Sequence, residues 1–104
     1  MVRQLKTLAE FNEVLKSTDK LIVVDFTATW CGPCQHIGPI FVKLSEELTD
    51  VVFVKVDVDE NDETAKHCNI SAMPTLHFYK DTKLVHDFCG ASDVKLKQAI
   101  VQYK

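Results

Sequence analysis

Glycine and proline are scarce in this chain, three of each in 104 residues. That excludes collagen-like segments and Pro/Gly-rich linkers. No internal repeat or low-complexity tract is present. No apolar run approaches the roughly 20 residues that a membrane-spanning helix needs, so no membrane association is expected. Met1-Val2-Arg3-Gln4-Leu5-Lys6 lacks the apolar stretch of a secretory signal. Basic charge is not in excess: 12 Lys and Arg stand against 15 Asp and Glu, for a net charge of -3. With no basic run, a nucleic-acid partner is not expected. Flavin and nucleotide motifs are absent, so the chain cannot collect electrons from NADPH itself, and no cofactor is expected. What remains is an ordinary globular composition in one expected domain, 1–104. Four cysteines without a secretion signal point to a reducing, cytoplasmic setting. A close cysteine pair there is more often catalytic or metal-binding than a structural staple.

The elements follow from periodicity. Val2 to Lys6 reads as a short strand. Thr7-Leu8-Ala9-Glu10 has capping-box spacing, and Leu8, Phe11 and Leu15 share a helical face. The apolar run 21–28 reads as a buried strand, and a helix is expected from about Pro33 to Leu48, kinked at Pro39. Val51 to Val58 is a central strand candidate, and Asp59 to Cys68 a short helix with an acidic start. Thr75–Lys80 and Lys83–Cys89 are separated only by Asp81-Thr82, which demands an antiparallel hairpin. Ser92 suits the cap of a last helix whose Leu96, Ala99, Ile100 and Tyr103 share a face. Strand-helix-strand units need parallel pairing and the hairpin antiparallel pairing. The fold class is therefore α/β, a mixed sheet with helices on both faces.

Trp30-Cys31-Gly32-Pro33-Cys34 is the most informative stretch. It puts two thiols one helical turn apart, where a buried strand hands over to a helix. Pro33 suits the first helical position. A thiol at a helix N-terminus feels the positive end of the dipole and unpaired N–H groups, and both favour the reactive thiolate. The chemistry expected is reversible dithiol–disulfide exchange. Cys31, at the most exposed point of the helix start, is the candidate nucleophile, and Cys34 the resolving thiol. Half a zinc site and a structural disulfide are the alternatives. Zinc takes four ligands, and the extra donors are only His36, too close in sequence, and the distant His67-Cys68.

Other residues admit two readings each. Asp25 shares a strand face with Val23 and Thr27 and should be buried, with its pKa raised. It is either a proton acceptor for Cys34 or a structural carboxylate bonded to a hydroxyl or to Lys55. Trp30 either shields the thiols and offers partners a flat apolar contact, or packs in the core. Gly32 satisfies the turn before the helix. Gly90 either allows close backbone approach near the site or simply ends a strand. The acidic group Asp57, Asp59, Glu60, Asp62 and Glu63 lacks Ca²⁺-loop spacing and reads as a solvated helix start. His67, His77 and His86 show no convergent pattern. Cys68 and Cys89 read as free thiols packed like small hydrophobes. No metal site is expected.

Together Val24-Asp25-Phe26-Thr27-Ala28-Thr29 with the Trp-Cys-Gly-Pro-Cys motif, Val56-Asp57-Val58-Asp59, Met73-Pro74-Thr75 and Phe88-Cys89-Gly90-Ala91 resemble the signature stretches of thioredoxins over essentially the whole chain. The resemblance implies a thioredoxin fold, with a central mixed five-stranded sheet flanked by four helices, the first strand at one edge and the hairpin at the other. It implies roles for Cys31, Cys34 and Asp25 as nucleophile, resolving thiol and proton acceptor, with Trp30, Gly32, Pro33 and Pro74 in support. It implies a cis bond before Pro74, against the trans base rate. Met73, Trp30 and Gly90 would contact substrate, Met73 by backbone pairing with an extended segment. The implied partners are an NADPH-dependent thioredoxin reductase and target proteins of the peroxiredoxin and ribonucleotide reductase type.

Gln35 stands where many thioredoxins carry Lys, which removes a fixed charge beside the site, and His36 restores charge only in acid. Position 72 is Ala72, where some animal members place an additional Cys, so a dimer bridged there is excluded and a monomer is expected. Two other functions compete. One is an oxidase or isomerase of secreted proteins, disfavoured by the Gly-Pro pair and the missing signal. The other is a redox-independent docking module.

Overall fold

The structure, a computed structural model, describes residues 2–104; Met1, which opens the expected domain, lies outside the described residues. The elements run β1 (Arg3–Gln4), α1 (Leu8–Lys16), β2 (Leu21–Thr27), α2 (Gly32–Glu47), β3 (Val51–Asp57), α3 (Asp62–His67), β4 (Thr75–Lys80), β5 (Lys83–Cys89) and α4 (Asp93–Tyr103). They form one five-stranded sheet in the order β1-β3-β2-β4-β5. The central β2 is parallel to β3 on one side and antiparallel to β4 on the other.

Side-chain alternation along β2 divides the core in two. Leu21 and Val23 face α2 and α4, where they pack with Ile37, Phe41, Leu96 and Ile100. Ile22, Val24 and Phe26 face the other way, onto Phe11, Val14 and Leu15 of α1. β2 is therefore covered on both sides, which explains its nearly unbroken apolar run. Asp25 has the parity of Val23, so it points to the side that carries α2.

Caps set the helix starts. The Glu10 N–H donates to Thr7 Oγ1 at 3.1 Å, as the capping-box spacing implies. The reciprocal half differs: Glu10 accepts from the Lys6 N–H at 3.4 Å and from Arg3 at 3.4 Å. The Lys95 N–H donates to Ser92 Oγ at 3.2 Å. α3 starts later than its acidic run suggests. The Asp59 and Glu60 N–H groups are bound by Asp57, which closes a turn first. Asn61 then caps the helix, accepting from the Thr64 N–H at 3.2 Å while its amide donates to the Leu5 carbonyl at 3.1 Å. α2 carries Pro39 within one continuous helix. The hairpin turn is left-handed at both centres, with φ 52° at Asp81 and 68° at Thr82. Tolerance at Asp81 is legible from residue type; a β-branched residue at positive φ is not.

Candidate active site

β2 ends at Thr27, and a tight turn follows in which the Cys31 N–H donates to the Ala28 carbonyl at 3.2 Å. Cys31 is the N-cap of α2, with extended backbone (φ -90°, ψ 112°). Gly32 is thus the first helical residue and Pro33 the second, one place later than expected. The Cys34 N–H donates to Cys31 Sγ at 3.2 Å. The sulfur therefore occupies the place where a serine or aspartate oxygen normally caps a helix. It sits at the positive end of the dipole, and no acidic residue in the first turn opposes that field.

Cys31 and Cys34 are joined as a disulfide with Cα atoms 5.3 Å apart. Cys31 is not at the most exposed point. It is only 5% exposed, because its sulfur is tied to Cys34 and packs with Ala28, Val58 and Met73. Trp30, Gly32 and Pro33 form the exposed surface instead, with Trp30 66% exposed. Core packing is thereby ruled out for Trp30. Its indole N–H donates to Asp59 Oδ2 at 2.8 Å, which holds the ring beside the cysteines.

Asp25 is buried, and its Oδ1 has no hydrogen-bond partner. A carboxylate bonded to a hydroxyl or a lysine is not what the structure contains. Burial pushes its pKa up from 3.8 to about 7, and the charge of Lys55, its register partner on β3, pulls the other way. Asp25, Cys34, Gln35 and Lys55 line one open cleft of about 610 Å³. Asp25 and Cys34 thus border a common space that solvent can enter.

The Met73–Pro74 bond is cis. Met73 is half-buried against the cysteines. The Gly90 N–H donates to the Pro74 carbonyl at 2.9 Å, which ties the end of β5 to this loop. Gly90 has φ +105°, while a Cβ there would meet nothing within 4 Å. Backbone conformation, rather than close approach, is what calls for glycine.

Two surroundings differ from expectation, those of Asp57 and Cys89, while His77 and Cys68 fit it. Asp57 is not solvated: it is buried, and its Oδ1 accepts from the Asp59 N–H at 2.9 Å and the Glu60 N–H at 3.2 Å. Cys89 is exposed, because β5 is an edge strand, and its sulfur lies 3.4 Å from Thr75 Oγ1. His77 is buried and satisfied, its Nδ1 hydrogen-bonded with the Tyr79 hydroxyl at 3.1 Å. Burial lowers its pKa, partly offset by Asp87. Cys68 is half-buried, as packing predicts, and burial raises its thiol pKa. Among the described residues no three His, Cys, Asp or Glu side chains converge as metal ligands.

Residue types alone missed the capping sulfur, the Asp57 turn and the Asp59 anchor of Trp30. The Asp57-x-Asp59 spacing, which allows a carboxylate to bond the backbone two residues on, was the available signal for the second.

The sequence profile of the thioredoxin family matches residues 2–102. The chain is 53% identical over 106 aligned positions to a thioredoxin of Geodia cydonium, with 100% of both chains covered. The X-ray structure of Fasciola hepatica thioredoxin is similar with a TM-score of 0.97 at 44% identity, covering 99% of this chain and 100% of that one. A chain from a structure on the thiol-resolving mechanism in yeast mitochondrial 1-Cys peroxiredoxin via glutathione/thioredoxin systems is similar with a TM-score of 0.91 at 40% identity, covering 97% and 94%.

Proposed function

This chain belongs to the thioredoxin family and is a protein dithiol–disulfide oxidoreductase, and we propose that Cys31 is its nucleophile, Cys34 its resolving thiol and Asp25 the proton acceptor for Cys34. The observation that carries this reading is the Cys34 N–H aimed at Cys31 Sγ at the mouth of α2. A donor already in place, with the dipole behind it, stabilises the sulfur anion more than the neutral thiol.

In the reduced protein the Cys31 thiolate attacks one sulfur of a target disulfide. A Cys31–target disulfide forms, and the other target sulfur leaves as a thiolate. Cys34 then passes its proton to Asp25, through water in the shared cleft, and attacks Cys31 Sγ. The Cys31–Cys34 bond closes and the second target sulfur leaves. Two electrons reach the target, and protons from Asp25 and solvent complete its two thiols. A carboxyl with pKa about 7 suits the middle step, since it exchanges a proton freely at neutral pH.

Trp30 offers the flat apolar contact, and the Met73 backbone with Gly90 lines the path of an extended target segment, in strand-addition style. Gly32 and Pro33 give the helix start its exposed, side-chain-poor surface, and Pro74 supports the facing loop. No helix among the described residues is long and apolar enough to cross a membrane. The reading places the chain in the cytoplasm as a monomer of one domain. An NADPH-dependent thioredoxin reductase returns the disulfide to the dithiol. Targets are proteins of the peroxiredoxin and ribonucleotide reductase type; the similarity to the chain from the peroxiredoxin study supports the first class.

Insulin reduction with dithiothreitol as the reductant tests the assignment. Cys31→Ser is expected to abolish turnover, and Cys34→Ser to accumulate a mixed disulfide with the target. Turnover retained by Cys31→Ser would refute the nucleophile.

A further inference from the structure

Gln35 is the one residue of the motif region whose side chain reaches back over the turn that delivers the nucleophile. Its Nε2 donates to the Ala28 carbonyl at 3.3 Å and to the Thr29 carbonyl at 3.5 Å. The Ala28 carbonyl is also the acceptor for the Cys31 N–H at 3.2 Å. One carbonyl thus receives both the backbone of the nucleophile and the side chain of a residue one turn into α2. The Gln35 N–H in turn donates to the Cys31 carbonyl at 3.3 Å. On its far side, the Ala28–Cys31 turn is held by the Trp30 indole on Asp59. Gln35 is the tether on the near side.

We propose that Gln35 is a positioning residue for the dithiol–disulfide reaction. Its carboxamide bolts the Ala28–Thr29 turn to α2 and so holds Cys31 at the helix cap and Trp30 at the docking surface. The inference rests on Cys31 being the nucleophile. Each tether is a neutral hydrogen bond at the long end of the range, 3.3 and 3.5 Å, so the pair together acts as one modest restraint. Backbone slack of less than 1 Å at Cys31 would misalign its sulfur with both the Cys34 N–H and an incoming disulfide. A carboxamide holds the turn without adding charge. A lysine at this position could donate to the same two carbonyls, but as a charged group.

Gln35→Met keeps length and helix propensity and removes the donor. Its insulin-reduction kcat/KM should fall about fivefold, the scale of one neutral hydrogen bond. Iodoacetamide alkylation of Cys31 near neutral pH should slow by a similar factor. Trp30 is the only tryptophan, so its fluorescence reports the turn directly. Its acrylamide quenching should rise in the variant. Gln35→Lys should restore both rates, at high salt as well as low, because it restores the donor. Unchanged rates and unchanged quenching in the folded Met variant would overturn the proposal. So would a recovery by Lys that vanishes at high salt, because charge would then be the cause. Cys31→Ser run alongside separates the two claims: turnover surviving in it defeats the nucleophile assignment, whatever Gln35 does.

Discussion

Replacing Asp25 by Asn should make the protein more stable, and increasingly so as pH rises. The folded protein holds the Asp25 carboxyl at a pKa of about 7, against 3.8 for a solvated one. A raised pKa means that the folded state binds this proton more tightly than the unfolded state. Below pH about 4 both states are protonated, and Asp25 costs nothing by this route. Between about 4 and 7 the unfolded chain ionises while the folded one does not, so stability falls as pH rises. Above 7 the full cost is present. At 1.36 kcal/mol per decade it is on the order of 4 kcal/mol. Asn cannot ionise, so its curve lacks this fall. Urea unfolding of the oxidised protein and of Asp25→Asn, from pH 4 to pH 8.5, measures the difference. The variant's advantage should grow through the window and level off above about 7. A constant difference would refute the picture of an unsatisfied buried carboxyl. The same substitution should slow release of a mixed disulfide more at pH 7 than at pH 9, where hydroxide can take the Cys34 proton instead. A pH-independent slowing would dismiss Asp25 as the acceptor.

The hairpin turn and the Asp57 turn give two further predictions. Thr82 is β-branched at φ 68°, so Thr82→Gly should relieve left-handed strain. After glycine's greater unfolded-state freedom, the net gain is about 0.5–1 kcal/mol. That raises Tm by a few degrees in a calorimetric scan; a lower Tm would contradict the strain. Asp57→Ala removes the acceptor for two backbone N–H groups and should cost about 1–3 kcal/mol. It should also shift Trp30 fluorescence, because Asp59, which anchors the indole, follows that turn. Asp57→Asn keeps an acceptor oxygen and should lose less. Equal losses in chemical unfolding would discount the capping role.

The elements were legible wherever one physical signal dominated. Two nearly unbroken apolar strands, a two-residue hairpin connection and the helical stripes fixed the element types and the mix of parallel and antiparallel pairing, while the strand order came only with the resemblance to thioredoxins. Parity placed Asp25 with Val23, and the structure carries that through to the side of α2. What stayed hidden depends on side chains meeting across the chain or on local backbone hydrogen bonds. Asp57 looked like one more exposed acid, yet it is buried by bonding the two N–H groups after it. Trp30 carries nearly equal signals for core and surface in its residue type, and the Asp59 carboxylate at its indole holds it at the surface. Position at the helix start suggested exposure for Cys31, whereas the bond to Cys34 and the packing of Met73 and Val58 against that cluster take it away. Cys89 erred the other way, since a thiol's preference for burial cannot override an edge strand. Gly90 was visible as a special residue, but only φ told which of its properties matters.

The Cys31 sulfur sits where the Cys34 N–H and the helix dipole favour its anion, and the proposed chemistry starts from that anion. Site-resolved alkylation of the reduced protein, followed by mass spectrometry across pH, reads each of the four thiols separately. Cys31 should give a midpoint clearly below the roughly 8.5 of a free cysteine, and Cys68, raised by its burial, one above it. A Cys31 midpoint at or above that ordinary value would contradict the account.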